Sequence, residues 1–592
     1  MKNKSIQKIL LLMGVSIFLT GCVTVPGEIE KVEKVTDTEI KTQTANPTKE
    51  ESIDYTLKDN KFLYETDDDT SVVTMYLTVR QGNKEENTNH TWEELNGHSV
   101  YYYDELGIER AKTEAILQVG DENGPKEGEL GFGVSIPNAI VNIRGQTSSK
   151  AAQKSYKIEI KDGKGSFRDQ KTINLNKHVF DGTRFKNKLC YDLMEELPEM
   201  IALRTQFVHL YVKDETVNGN AKFEDYGLYT QVEQPNKRFL KNHGFDRYGQ
   251  LYKINFFEFY RYEDVIKLKS NADYDEAAFN ELLEIKGDDN HSKLILMLED
   301  VNDYSKPMEE VFTKWFDEEN FFSWMAFHIL VGNIDTQSRN TLLYSPSNMD
   351  KWYFMSWDND ASFSQTENRL AHDEESSGWE YGVSNYWGNI LFQRVLKSKS
   401  YRTKLDDKIQ EYRIIMTKEK LEEMITGYND VVWKYRNQLP DILNLKLTNE
   451  EYLETCQTIP EEISQNYELY KKSLDSPMPF YIGDPEKKNG TFYINWDNSY
   501  DFDMEDVTYT FELAKDYTFN DPLIKKGELD YPECKIGDLE PGQYFVRVTA
   551  KNKSGFEQTA FDYYSSDAGR VYGVKCFYVL KDGSIVGDSY DE

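Results

Sequence analysis

The sequence predicts an α+β body followed by an all-β sandwich. Three observations carry this. Alternating, β-branched runs such as "SVVTMYLTV", "AIVNIRG" and "KSYKIEI" fill the first part of the body. Residues 388–475 read mostly as helix, as in "NILFQRVLKSKSYRTKLDDKIQEYRIIM". Beyond "SLDSPMPFYIGDP" the texture changes to short strands at even spacing.

The elements follow in order. Residues 1–22 read as a processing signal. "MKNKSIQK" is a basic stretch, "ILLLMGVSIFL" is too short for a permanent membrane span, and "LTGC" resembles a bacterial lipobox ending at Cys22. Cys22 is therefore the expected lipidation site, which places the protein on the extracytoplasmic face of the cell membrane. Residues 23–62, rich in Thr, Glu and Lys, read as a tether. The body spans 63–477. Within it, 181–205 is expected to be helical with Asp181 as N-cap, and "TQFVHLYVK" and "YGLYTQVEQ" to be strands. Residues 276–302 and 307–330 are expected helices. "TLLYSP" and "KWYFMSWD" are strands around the polar turn "SNMD". The last segment, 478–592, resembles a fibronectin-III or immunoglobulin-like sandwich through Leu539 to Gly555, with Trp496 and Tyr544 as core candidates.

The chain has 592 residues and a formal charge of −33, which repels a phosphate backbone and excludes nucleic acid as a partner. It suits a protein substrate with a basic segment. Besides Cys22 there are Cys190, Cys456, Cys534 and Cys576, with no C-x-x-C and no zinc spacing. Cys534 and Cys576 either pair or remain buried thiols.

One stretch asks for chemistry. In "GNIDTQSRN", Asp335 follows an apolar helical run, and Asn340 stands five positions on. D-x-x-x-x-N is the spacing of a kinase catalytic loop, where the Asp orients the acceptor hydroxyl and the Asn serves a metal ion. Downstream, "WDND" ends a strand at Asp358, as a metal-binding Asp would. Hard Mg²⁺ or Mn²⁺ takes oxygen ligands, which Asp358 and Asn340 supply. Asp360 reads as a further ligand or as a turn cap. Cations for phosphate are sought upstream, at Arg144, Lys154 and Lys157, with Glu233 either a lysine's partner or a strand-end charge. His328, inside the apolar helix, reads as a core histidine.

The blocks resemble the CotH family of atypical bacterial kinases. "IRGQTSSKAAQKSYKIEI", "INLNKHVFDGTRFKNKLCYDLM", "YGLYTQVEQPNKRFL", "LYKI", the loop around Asp335 and the strand into Asp358 occur in the family's order. The resemblance implies a kinase-like fold over roughly 70–475. It implies ATP with Mg²⁺ or Mn²⁺, Asp335 as catalytic residue, Asp358 and Asn340 on the metal, and Lys154 on the nucleotide phosphates, with Arg144 and Glu233 beside it. Tyr252 and Trp352 are the candidates for stacking on adenine, and both also read as core. Gln146 and Gln153 depart from the family pattern. The implied function is phosphoryl transfer to Ser or Thr of a protein, on the cell surface or spore. A non-catalytic surface-anchored binding, adhesion or spore-coat protein on the same fold is the alternative. Transfer of another group from ATP is a third.

Overall fold

The structure, a computed structural model, describes residues 57–219, 221–370, 378–488, 490–566 and 569–587. The signal segment, Cys22 and most of the tether lie outside the described residues. Among the described residues no helix is long and apolar enough to cross a membrane.

The first part is built on eight strands: β1 (Val72–Arg80), β2 (Thr113–Asp121), β3 (Gly124–Pro125), β4 (Ala139–Arg144), β5 (Ser155–Ile160), β6 (Thr172–Asn176), β7 (Thr205–Asp214) and β8 (Glu224–Glu233). The order is β1-β7-β8-β6-β5-β4-β2-β3, and β1 also pairs with β2. The sheet therefore closes on itself as a seven-stranded barrel, with β3 appended to β2. β1 makes the closure, parallel to β7 (Val72↔Phe207) and antiparallel to β2 (Thr74↔Gly120). Closure leaves no open edge to pair with other chains. Alternation fills the interior with Met75, Leu77, Val141, Ile143, Ile158 and Leu210, all buried. The same alternation turns Arg144, at the end of β4, to the outer face.

Two short helices, α1 (Trp92–Gly97) and α2 (Val100–Leu106), follow β1, and α3 (Lys186–Glu196) lies between β6 and β7. Asp181 serves α3 from a turn upstream, its carboxylate accepting the Lys186 N–H at 2.9 Å, while Phe185 is the boundary residue. The helical expectation for 181–205 thus shrinks to 186–196, and the chain enters β7 at Thr205.

After α4 (Lys237–Asn242), a second sheet of β10 (Leu283–Ile285), β9 (Gln250–Ile254), β11 (Thr341–Ser345) and β12 (Tyr353–Ser356) runs in that order. The expected helix over 276–302 is broken. It is α5 (Glu276–Leu282), then β10, then α6 (Ser292–Asn302), because residues 283–285 pair with β9. α7 (Met308–Trp315) and α8 (Glu318–Leu330) follow, then β11 and β12 as an antiparallel pair. α9 (Gln365–Leu370), α10 (Ile390–Lys397), α11 (Lys399–Ile415), α12 (Lys418–Arg436) and α13 (Asn449–Asp475) complete the body.

The packed chain begins earlier than the tether boundary at 62. The fully buried Asp59 carboxylate pairs with His243 Nδ1 at 2.6 Å and accepts from the Tyr64 hydroxyl. Beyond α13, strands at 491–495 and 533–537 form one small sheet with 486–488, and the strands at 507–514 and 542–552 centre a larger one. Trp496 and Tyr544 are buried between them, and the Tyr544 hydroxyl donates to the Glu540 carbonyl at 2.7 Å. Cys190, Cys456, Cys534 and Cys576 are all buried as thiols, and no disulfide joins Cys534 to Cys576.

Candidate active site

Two buried helices position the site. α8 starts at Asp317, whose carboxylate accepts the Asn320 N–H at 2.8 Å, with Glu318 and Glu319 at the positive end of the helix dipole. It stops at Gly332, in the left-handed region at φ 62°. A Cβ there would meet the Asn466 side chain within 3.0 Å, so the stop needs glycine. The next residues form the loop that carries Asp335.

That loop is tied at many points. Asn333, buried, accepts the Asp335 N–H at 3.2 Å. The Gln337 carbonyl takes a bond from Asn389, and the Ser338 carbonyl takes the Phe257 N–H. The Asn340 carbonyl takes the Trp357 N–H at 3.1 Å, which joins the loop to the strand end opposite. Asp335 itself stays partly exposed and pairs with Arg339. Asn340 sits at φ 53° and Asp358 at φ 55°, so both proposed metal-side residues occupy the left-handed region. Non-glycine residues persist there only when their surroundings hold them, and such positions gather at functional sites.

The turn after β12 is held from below. The Asp358 N–H donates to the Tyr191 hydroxyl at 3.2 Å, and the Asn359 N–H to the side-chain Oδ1 of Asn187 at 2.9 Å. Asn359 Oδ1 accepts from Ser356 at 2.7 Å and from the Asn333 amide at 3.4 Å. Asn359 Oδ1 thus ties the turn to Ser356 of β12 and to Asn333 of the Asp335 loop. His328 of α8 reaches the same Ser356 hydroxyl through Nε2 at 3.2 Å, and burial pushes its imidazole down to about 3. The core reading of His328 holds, with one polar link.

The electrostatics are those of a carboxylate cluster facing cations. The Asp360 carboxyl is pushed well above the usual range by burial, then by Asp358, Asp181 and Asp335. From the barrel side, Arg144 donates to Asn176, lies 5.8 Å from the Trp357 ring, and is lowered to about 10 by burial against the pull of Asp358. From β9 comes Lys253, lowered by burial and acted on by Glu284, Asp358 and Arg144. His178, at φ 48°, is driven to about 4 by burial beside Asp358, Arg184 and Arg144.

The structure therefore sets Asp335 and Asp358 on Asp360, Arg144 beside Asp358, and the Asn340 carbonyl on the Trp357 N–H, one residue before Asp358. The other candidates go elsewhere. Lys154 donates to the Ser149 carbonyl at 2.6 Å, and burial is what lowers its ammonium, with no carboxylate acting on it. It staples the loop after Arg144 instead. Among the described residues Glu233 pairs with no lysine. It binds His243 Nε2 at 3.0 Å and accepts the Arg204 N–H, which with Asp59 pushes His243 up to about 9. Tyr252 and Trp352 are fully buried, their rings 6.1 Å apart, and the Tyr252 hydroxyl bonds His291. Neither can stack on adenine. Lys253, Asn187 and Tyr191 escaped sequence reasoning as site residues. The only signal was that all three lie inside blocks carrying the resemblance.

A divalent ion fits this donor set. Among the described residues, no three His, Cys, Asp or Glu side chains form a ready-made metal cluster. Mg²⁺ does not ask for one, since it is held by one or two carboxylates plus substrate phosphates and water. The field of Asp358, Asp181 and Asp335 on Asp360, opposed by Lys186, is one that a further cation would relieve.

A model of the CotH kinase protein family matches residues 141–470, more than half of the 592, and the chain belongs to that family. Among solved structures it is similar to the Helicobacter pylori proinflammatory kinase CtkA, at 9% identity and a TM-score of 0.25, covering 54% of this chain and 94% of that one. Among curated proteins, none matches.

Proposed function

We propose that the protein transfers the γ-phosphate of ATP to a Ser or Thr hydroxyl of a protein substrate. What supports the reading is Asp335 and Asp358 acting together on Asp360, with Arg144 facing Asp358, in a chain of the CotH kinase family. Asp358 and Asn340 would hold Mg²⁺ or Mn²⁺, with Asp360 as a further oxygen. The ion supplies charge neutralisation on the phosphates. Arg144 and Lys253, both acted on by Asp358, would pair with the phosphate oxygens. Asp335 orients the acceptor hydroxyl and takes its proton as the oxygen–phosphorus bond forms. The bond from the γ-phosphorus to its bridging oxygen breaks, and ADP leaves. The fixed loop carbonyls keep Asp335 in place, so catalysis comes from positioning and charge.

The lipobox-like "LTGC" supports anchoring at the outer membrane face through Cys22, and the charge of −33 supports a basic acceptor segment. The last segment reads as a fibronectin-III or immunoglobulin-like sandwich beside the catalytic body.

The test is incubation of the purified chain with γ-labelled ATP and Mn²⁺. Label on protein that disappears in Asp358→Ala is expected. No label in the wild type, with no rise in melting temperature on adding nucleotide and Mn²⁺, would overturn the kinase reading in favour of a non-catalytic surface protein.

A further inference from the structure

α3 is an odd helix to bury. Every residue from Lys186 to Met194 is buried, yet the run contains Lys186, Asn187, Lys188 and Asp192. Burying charge is costly unless each group is paired, and a paired network fixes one arrangement of its surroundings. Each charge here is paired. Lys186 meets Glu367 at 2.5 Å, and Lys188 meets Asp192 at 2.8 Å. Asp192 also accepts from Thr205 at 3.0 Å and from the Tyr428 hydroxyl. These links run to α9, β7 and α12, so α3 can neither rotate nor slide without breaking several of them.

What that fixed register presents is a pair of acceptors. Asn187 and Tyr191 are four positions apart, on one face of the helix. They take two consecutive backbone N–H groups, those of Asn359 and Asp358, while Asp358 is left-handed. Both acceptors are buried. A left-handed residue cannot join the ladder of β12, so its amide needs an outside partner.

We infer that Asn187 and Tyr191 are positioning residues: a clamp on the Asp358–Asn359 amides that holds the Asp358 carboxylate in its metal-binding pose. The inference rests on the proposed function for the word "metal", but the clamp itself is a property of the chain without ligand. It also accounts for the buried charges on α3, whose pairing aims the clamp.

The experiment uses the full chain with Tyr191→Phe, Asn187→Leu and Asn187→Asp. Phe keeps the ring packing, and Asp keeps an acceptor at 187. Amide hydrogen exchange is followed across residues 356–361 without ligand, alongside Mn²⁺ affinity with ATP present and the melting temperature. Exchange about tenfold faster in Tyr191→Phe and Asn187→Leu is expected, with half-saturating Mn²⁺ raised by a similar factor and global unfolding little moved. Asn187→Asp should keep the exchange protection. Unchanged exchange in both Tyr191→Phe and Asn187→Leu would overturn the clamp, as would faster exchange spread evenly over the whole chain. If the wild type binds no Mn²⁺ with ATP, the kinase reading fails, and the exchange result still decides the clamp.

Discussion

Helix α8 is buried from Asn320 to Leu330, with Phe321, Phe322, Trp324, Met325 and Phe327 forming a nearly continuous apolar surface. Helix α3 is buried just as deeply over Lys186 to Met194, and its first turn reads Lys-Asn-Lys. Both feed the same site. α8 delivers the Asp335 loop by ending in a defined place, fixed by aromatic packing and the Gly332 stop. α3 delivers nothing of its own to the reaction, and holds a turn belonging to another element. Apolar packing sets where a helix lies but tolerates small rotations. Paired charges set its rotation at little net gain in stability. The difference teaches that buried polarity in this protein marks where orientation matters.

The largest expected effect comes from splitting the site along that division. Asp335→Asn and Asp358→Asn should each lower phosphoryl transfer by about a thousandfold. Only Asp358→Asn should also abolish Mn²⁺ binding in the presence of ATP, as titration of the two variants would show.

The next contrast is in stability. Trp324→Ala on α8 should cost about 3–5 kcal/mol in denaturant unfolding, because it removes a fully buried ring. The double change Lys186→Met with Glu367→Leu should cost less, about 1–3 kcal/mol, since it removes a buried ion pair but leaves Lys446 and the Gly182 N–H without their Glu367 partner. Yet it should loosen the Asp358 turn in hydrogen exchange. A large stability loss in the double variant would break the comparison.

A smaller effect follows from His328, the polar exception on α8. Its imidazole lies at about 3 when folded, against about 6.5 unfolded. The folded form therefore favours the neutral ring. The stability this contributes is fully present above pH 6.5 and is lost as pH falls towards 3. Between pH 7 and pH 5 the loss should be about 2 kcal/mol. His328→Gln should flatten that part of the stability profile.

Much of the site was legible because it is local. Asp335, Asn340 and Asp358 announce themselves through loop spacing and a strand end. The cation opposite them was only half legible. Arg144 ends a strand whose alternation shows which face it takes. Lys154 and Lys253 are distinguished by their partners, the local Ser149 carbonyl for one and the field of Asp358, distant in sequence, for the other. Aromatic type did not separate Tyr252 and Trp352 from core, because burial is set by the second sheet rather than by the neighbouring residues. Nor could a strand pattern reveal the barrel's closure, which pairs Val72 with Phe207. Glu233 went to His243 for the same reason, since Asp59 arrives from a segment that composition alone marked as tether.

The most direct measurement is Mn²⁺ binding by electron paramagnetic resonance, with ATP present, in the wild type and Asp358→Ala. The account predicts one Mn²⁺ bound per nucleotide-loaded wild-type chain and none above background in the variant. Equal binding in both would contradict it.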